Sequence, residues 1–324
     1  MQPALYPLSF EPVLKRYIWG GRRLGELLGK PIGAGSDYAE SWEIADHPQG
    51  QAVVKQGPLA GTTLHELVTT RGDELLGRHA PQSRFPLIFK LLDAQKDLSV
   101  QVHPDDAAAA QLSPPDLGKT EAWVILDAAK GSKVYAGLKK GTDLAGFSHA
   151  IQEQRAAECL HSFEPQAGDC LFIPAGTVHA LGAGLLVAEI QQASDTTYRL
   201  YDWGRTGPDG KPRALHVEQG LAAVDFAAVE VGPRRGNLVI APGVERLVEC
   251  EKFVLDRRTL AEPTAFGGDQ RFHILCVTRG EIRLDGPGEM TVGTGQTVLL
   301  PAVLPGQLVR PSGEAVVLDM YLPG

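Results

Sequence analysis

The chain has 324 residues, 43% of them hydrophobic and 22% charged, a composition typical of a globular protein. Its formal net charge of -8 disfavours a nucleic-acid partner, because binding to the phosphate backbone depends on a surplus of Lys and Arg. The sequence has neither the roughly 18 consecutive apolar residues that span a bilayer nor the basic-then-apolar start of a signal peptide, so we expect no membrane partner.

The cysteines point to a reducing compartment. They lie far apart and form no C-x-x-C pair, at Cys159, Cys170, Cys250 and Cys276. This spacing is not that of a disulfide framework. We therefore expect free thiols and a cytoplasmic protein. The sequence carries no signal for an oligomeric state.

In chain order, the first clear element is a helix over residues 62–76, where Thr63 and Glu66 have the spacing of a capping box. Short apolar runs between turn residues then predict strands, namely PLIFKLLDA (86–94), KTEAWVILDA (119–128), SKVYAGL (132–138), CLFIPA (170–175) and GLLVAEIQQ (184–192). Apolar residues at helical spacing predict two further helices, over 142–160 and 214–224. Many short strands with few helices favour a β-sandwich or barrel that helices decorate.

A short pattern occurs twice in the chain. Residues 168–175 read GDCLFIPA and residues 295–302 read GQTVLLPA, so a strand closes on a Pro-Ala turn in both. Five residues beyond the proline the first copy has His179, whereas the second has Gly306. This repeat predicts two related β-barrels. We expect a catalytic domain over 1–224, and over 225–324 a second, metal-free barrel that acts as its packing partner.

Polar side chains gather at the ends of predicted strands. The set consists of Ser99, Gln101, His103, Lys119, Glu121 and His179. In DLSVQVHPDD, Ser99, Gln101 and His103 alternate with valines and therefore share one strand face. Two histidines and a carboxylate suit a divalent metal that acts as a Lewis acid, and an amide oxygen is a further donor. For each histidine taken alone, an ordinary hydrogen-bonded residue is the alternative.

A second group of polar residues follows in EIQQASDTTYRLYDWGR, residues 189–205. Arg199 and Arg205 stand there among Tyr198, Tyr201 and Trp203. Guanidinium groups held between aromatic rings suit bidentate binding of phosphate or carboxylate. Two arginines in surface ion pairs are the alternative reading of this stretch.

Four motifs in this order resemble the type I phosphomannose isomerases, especially their short bacterial form: QVHPDD, GKTEAW, IPAGTVHAL and EIQQASDTTYRLYDWGR. KRYIWGGRRL near the start and AESWEIADHP at 39–48 are similar to the N-terminal region of that family. The resemblance extends from about residue 10 to residue 220. It implies a mainly β fold with two cupin-type β-barrels (jelly rolls) and a few decorating helices.

The resemblance also implies roles for individual residues. One zinc ion per chain is expected on His103, Glu121 and His179, and Gln101 matches a fourth ligand of the longer family members. Arg199 matches the catalytic arginine of the family. Other positions match residues that line the family's active site, namely Ser99, Lys119, Glu189, Asp195 and Arg205.

The implied activity is the interconversion of D-mannose 6-phosphate and D-fructose 6-phosphate by metal-assisted proton transfer through a cis-enediol, so the expected partner is a small sugar phosphate. Asp195, Glu189, Lys119 and a metal-bound hydroxide are all chemically able to act as the base. Two other functions fit parts of the pattern. A cupin with two histidines and a carboxylate can be an iron oxygenase, and the same pocket can bind a sugar phosphate without turnover.

Overall fold

The computed structural model describes residues 3–206, 210–234, 238–285 and 289–324. Its first strands are β1 (Phe10–Glu11), β2 (Val13–Gly21), β3 (Tyr38–Ile44), β4 (Asp46–His47), β5 (Gly50–Gln51), β6 (Val53–Val54), β7 (Leu87–Ala94), β8 (Val100–Val102), β9 (Glu121–Ala128), β10 (Val134–Leu138), β11 (Leu160–Phe163), β12 (Cys170–Ile173), β13 (His179–Leu181), β14 (Leu185–Gln192) and β15 (Tyr198–Tyr201). The strands that follow are β16 (Leu238–Ala241), β17 (Val244–Glu249), β18 (Val254–Leu260), β19 (Thr264–Phe266), β20 (His273–Arg279), β21 (Glu281–Leu284), β22 (Met290–Gly293), β23 (Thr297–Leu300), β24 (Gln307–Pro311) and β25 (Ala315–Tyr321). The helices are α1 (Arg23–Glu26), α2 (Leu64–Leu76), α3 (Asp106–Ala109), α4 (Leu144–Gln152) and α5 (Val217–Ala223).

Among the described residues, four larger sheets form the body of the fold, beside two sheets of two short strands each. Sheet I has the strand order β12-β9-β14-β7-β3-β2 and sheet II the order β11-β10-β13-β8-β15. Sheet III has the order β16-β17-β18-β25-β20-β23 and sheet IV the order β19-β24-β21-β22. The mainly β fold with cupin-type β-barrels that the sequence predicts is thereby confirmed.

The apolar cores show how the four sheets stack. One cluster lies between sheets I and II and includes Trp123 and Leu181. A second cluster lies between sheets III and IV and includes Leu275 and Val309. The largest cluster joins the outer face of sheet I, including Phe89, to sheet III. The layers therefore run II–I–III–IV. Sheets I and II form the first sandwich, sheets III and IV form the second, and the two sandwiches share a core. The boundary after residue 224 stays a prediction.

The predicted helices are confirmed in part. Helix α2 begins after Thr63, whose Oγ1 accepts from the amide of Glu66 at 3.1 Å while the Glu66 carboxylate accepts from the Thr63 amide at 2.7 Å, as a capping box requires. Helix α5 lies within the predicted 214–224. The prediction over 142–160 is too long, because helix α4 ends at Gln152 and Gln154 has a φ of 60°. A left-handed residue stops a right-handed helix, and Leu160 already starts strand β11.

The second sandwich repeats the pairing of the first. Ile173 of β12 pairs with Glu121 of β9, and Leu300 of β23 pairs with His273 of β20, so the two Pro-Ala motifs close the same type of strand pair. Glu189 lies opposite Trp123, and Asp319 lies opposite Leu275, two residues after the first residue of the partner strand in each case. This common register supports the predicted duplication.

In the second sandwich, His273 and Asp319 at these positions belong to a buried cluster of ion pairs. His273 Nδ1 lies 2.7 Å from Asp319 Oδ1, and His273 Nε2 lies 3.2 Å from Asp269 Oδ1. Arg258 and Arg271 contact the other oxygens of these carboxylates. Burial by itself lowers the pKa of His273, but the two carboxylates outweigh it and raise this pKa to about 9. His273 is therefore an imidazolium at neutral pH.

The cluster predicts a pH dependence of stability. Since the folded-state pKa of about 9 lies above the usual 6.5, the imidazolium stabilises the fold fully below pH 6.5, and this contribution is lost as the pH rises through 9. His273→Gln should lower the melting temperature at pH 6 and flatten its dependence on pH between 6.5 and 9. Thermal unfolding at several pH values checks this, with His161→Gln on β11 as the control. An unchanged pH profile in His273→Gln would contradict it.

No helix in the described ranges is long and apolar enough to cross a bilayer. All four cysteines are unpaired, as expected.

Candidate functional site

Sheet I turns a polar face towards sheet II. The register of the strands places Trp123, Glu189, Lys90 and Trp42 in one row across β9, β14, β7 and β3. Glu121 lies two residues before Trp123 and therefore on the same face. On β9, β14 and β7, the residues that alternate with this row point the other way, into the core that sheet I shares with sheet III.

Sheet II supplies the opposite wall. His179, Gln101 and Arg199 form a second row, since Gln101 of β8 pairs with His179 of β13 on one side and with Arg199 of β15 on the other. Val100 and Val102 point outward and pack in a cluster with residues of α4 and α5. The predicted polar face of DLSVQVHPDD is therefore the inner face of the sandwich.

Three of the predicted metal ligands come together between these walls. The ligand atoms of His103, Glu121 and His179 all lie within 4.8 Å of one another, and the three residues are buried. His103 Nε2 is 3.5 Å from Glu121 Oε2, and His179 Nε2 is 3.3 Å from Glu121 Oε1. Among the residues that the structure describes, this is the one His/Cys/Asp/Glu group with such spacing.

The hydrogen bonds of the two histidines prepare them for a metal. Nδ1 of His103 lies 2.9 Å from the carbonyl oxygen of Thr196, and Nδ1 of His179 lies 2.9 Å from that of Thr177. A carbonyl accepts a proton, so each Nδ1 carries the hydrogen and each Nε2 presents a lone pair to the cluster. Burial lowers the pKa of His103 well below its usual range and that of His179 to about 4, which keeps both rings neutral.

The donor set fits a divalent ion. Glu121 Oε1 is buried without a hydrogen-bond partner among the described residues, as expected of a carboxylate oxygen reserved for a metal. Gln101 lies at the edge of the cluster, with its side-chain nitrogen 3.2 Å from His179 Nε2. A rotation of this amide would bring the oxygen to the same place, so Gln101 as a ligand stays a prediction.

Lys119 lies against the cluster and lines the cavity between sheets I and II. Its ammonium donates to Glu121 Oε2 at 2.5 Å and lies 3.1 Å from His103 Nε2. The cavity between sheets I and II has a volume of about 300 Å³ and is lined by Tyr17, Trp19, Glu40, Lys90, Leu92, Leu98, Ser99, Gln101, Lys119, Trp123, His179, Leu181, Glu189, Asp195, Thr197, Arg199 and Arg213. It thus includes every predicted substrate-contacting residue except Arg205.

The sequence-based prediction missed a buried lysine in this cavity. Lys90 Nζ lies 3.7 Å from Glu189 Oε1, 3.7 Å from Asp195 Oδ1 and 3.9 Å from Glu40 Oε2, and it sits over the ring of Trp42 at 4.6 Å from the centroid. Burial opposes its charge, but the carboxylates outweigh burial and raise the pKa of Lys90. A lysine at the centre of a mostly apolar strand, as in LIFKLLDA, was the available signal, because a lysine is rarely buried unless it has charged partners.

Each carboxylate oxygen of Glu189 has a partner in the cavity wall. Its Oε2 accepts from the indole nitrogen of Trp123 at 3.0 Å, while Oε1 faces Lys90. Burial, followed by the nearby charge of Glu121, raises the pKa of Glu189.

Arg199 and Arg205 differ in placement. Arg199 lines the cavity, and its Nη1 donates to the carbonyl of Ala214 at 2.9 Å. Arg205 is directed at Asp202 and at the carbonyl of Asp97, and it is not among the residues that line the cavity. Arg213, which the sequence-based prediction missed, lines the cavity instead. Its segment, GKPRAL, has no periodicity that could have indicated this.

Known proteins share this sequence and this fold. The family described as phosphomannose isomerase type I, catalytic domain, matches residues 8–122. The mannose-6-phosphate isomerase ManA of Bacillus subtilis is 36% identical over 301 residues, which cover 91% of this chain and 93% of that protein. The mannose-6-phosphate isomerase of Streptococcus mutans is 40% identical over 219 residues, 66% of each chain.

Solved structures agree with these relatives. The crystal structure of the mannose 6-phosphate isomerase from Bacillus subtilis aligns with a TM-score of 0.89 at 31% identity and covers 98% of this chain and 100% of that one. The phosphomannose isomerase of Salmonella typhimurium, 17% identical, aligns with a TM-score of 0.76 over 98% of this chain and 100% of that one, a likeness of fold. The chain belongs to the type I phosphomannose isomerase family.

Proposed function

We propose that this chain interconverts D-mannose 6-phosphate and D-fructose 6-phosphate, with one zinc ion held by His103, Glu121 and His179. Relatives named mannose-6-phosphate isomerase cover nearly the whole chain. The observation that carries the proposal is that His179 of the metal-binding cluster lines one cavity together with Lys119 and Arg199. A metal and several cations in one enclosed space suit an anionic sugar that must become an enediol.

The donor set favours zinc. Two neutral imidazoles and a carboxylate are common in catalytic zinc sites, where a remaining position stays open for water or substrate. When bound, the ion would polarise the carbonyl and hydroxyl oxygens of the sugar as a Lewis acid. The free thiols favour a reducing compartment, and we therefore place the enzyme in the cytoplasm.

The side chains of the cavity supply the rest of the chemistry. Glu189 and Asp195 line it, and each carboxylate is able to accept the proton from the carbon beside the carbonyl, whereas Lys119 is an ammonium that contributes positive charge. Arg199 stabilises the oxyanion that develops when this proton leaves, because it lies in the row of Gln101 and His179. Indole and aliphatic side chains of Trp19, Leu92 and Leu181 exclude water on the remaining sides.

The two alternative functions have different requirements. An iron oxygenase does not need the cations Lys119, Arg199 and Arg213 in its cavity. A non-catalytic binding protein would bind the sugar phosphate tightly without converting it. Purified protein should convert mannose 6-phosphate in a coupled assay that detects fructose 6-phosphate, and a chelator should abolish this activity until zinc is restored. Tight binding without turnover, or oxygen uptake with ferrous iron, would refute the isomerase.

The metal cluster predicts one equivalent of zinc per chain. His179→Ala should lose this metal, because two ligands of this type hold zinc much more weakly than three. Elemental analysis of wild type and variant after dialysis checks this, with His149→Ala on α4 as a control that keeps its metal. Two tightly held equivalents in the wild type, or full occupancy in His179→Ala, would contradict the assignment.

The role of Arg199 predicts a specific kinetic signature. If Arg199 meets charge that develops only in the transition state, Arg199→Ala should lower kcat and kcat/KM together, by on the order of 10² to 10³. Arg199→Lys should recover little, because lysine keeps the charge but not the fork of donors. Steady-state kinetics of variants with wild-type metal content check this. A loss confined to KM would show that Arg199 only binds the phosphate.

A further inference from the structure

We infer that Arg213 binds the phosphate of the substrate and thereby selects phosphorylated over free sugars, in place of Arg205. The inference rests on the proposed isomerase function and adds to it a specificity residue. Arg213 belongs to none of the motifs that carry the family resemblance.

The first observation is the different placement of the two arginines. Both are bound to Asp202, but Arg213 lines the cavity whereas Arg205 does not. Arg213 contacts Asp202 through Nε, at 2.7 Å, and Nη2, at 2.5 Å. This side-on contact leaves Nη1 outside the carboxylate. Asp202 thus holds the guanidinium in a fixed orientation and leaves donors for a ligand.

The second observation is that Arg199 and Arg213 are neighbours within the cavity. Nη1 of Arg199 binds the carbonyl of Ala214, the residue next to Arg213. Burial, and then the charge of Arg213, lower the pKa of Arg199. Nε of Arg199 is also buried without a partner in the described ranges. Two cations held together with an unsatisfied donor form a site that an anion stabilises.

The pairing of β15 with β8 indicates which end of the substrate lies next to Arg213. Tyr198 of β15 pairs with Val102 of β8 and Tyr201 pairs with Val100, so Asp202 lies beyond Val100, away from His103. Arg205 contacts the carbonyl of Asp97 and the indole of Trp203 donates to that of Leu98, which places this segment at the same end of β8. The end of β8 near His103 and the end near Asp202 are about four residues apart, which is roughly 13 Å along the strand.

An open-chain hexose 6-phosphate also has two different ends, which can be matched to the two ends of the cavity. Its reacting carbons are at one end and its phosphate is at the other, so a sugar that reaches the metal-binding cluster with C1 and C2 directs its phosphate towards Arg213. Ser99, whose hydroxyl donates to Gln101 Oε1 at 3.3 Å, also lines the cavity and precedes Val100 at this end. Arg199 pairs with Gln101 in the middle of β8 and contacts Ala214 beside Arg213, so it can face both the reacting carbons and the phosphate, whereas Arg213 lies at the phosphate end.

The test compares substrates as well as variants. Arg213→Ala should raise KM for mannose 6-phosphate about 10- to 100-fold, the loss of one charge-assisted contact, and leave kcat within a few-fold. The kcat/KM for free mannose should not change, because free mannose has no phosphate. Inorganic phosphate, as a competitive inhibitor, should bind about tenfold or more weakly to this variant. Arg155→Ala, which removes an exposed arginine beside α4, should match wild type in all three measurements.

The outcomes separate this inference from the proposed function. Failure of the wild type to convert mannose 6-phosphate would refute the isomerase. Conversion by the wild type, with equal losses on both sugars or unchanged inhibition by phosphate in Arg213→Ala, would refute the role of Arg213 alone. Arg213→Gln repeats the measurement with a side chain closer in volume, and melting temperature and metal content establish that each variant is folded.

Discussion

The alternation of side chains along the strands of sheet I is the constraint on which the structure depends. One face buries Phe89, Val124 and Ile190 against the second sandwich. The other face presents Lys90 and Glu189 to the cavity and Glu121 to the cluster with His103 and His179. Because the period of a strand is two, a shift of register by one residue would exchange these faces. The shared core therefore fixes the position of the side chains that line the cavity. We expect the second sandwich to support the site in this way, as a packing partner.

Charge compensation decides the arrangement within the cavity. Buried ionised groups are tolerated when opposite charges and hydrogen bonds surround them. Lys90 lies among three carboxylates, Lys119 is bound to Glu121, and Asp202 accepts from two arginines. Asp202 is shared by Arg205 and Arg213 and also lies near Arg199, so positive charge exceeds negative charge at this end of the cavity. We propose that the phosphate of the substrate supplies the missing anion there.

The two sandwiches use the same register for different purposes. Glu121 and His273 occupy the same position of the repeated strand pair, and so do Glu189 and Asp319. In the first sandwich, two histidines and Glu121 form a group that could hold a metal cation. In the second, His273 itself becomes the cation between Asp319 and Asp269. Protonated imidazole thus balances carboxylates at a position where the first sandwich has a ligand group.

The sequence by itself determined the five strands read from apolar runs, the capping-box helix and the three residues His103, Glu121 and His179 of the candidate metal site, because alternation, caps and motif spacing are local properties of the chain. It also predicts a duplicated barrel through a repeat of eight residues. Tertiary structure alone decided that Lys90 and Arg213 line the cavity and that Arg205 does not. It also ended helix α4 at Gln152. These features depend on which distant segments meet: the carbonyl of Asp97 accepts from Arg205, and carboxylates from two segments distant from Lys90 make this buried lysine stable. Such contacts have no fixed spacing along the chain.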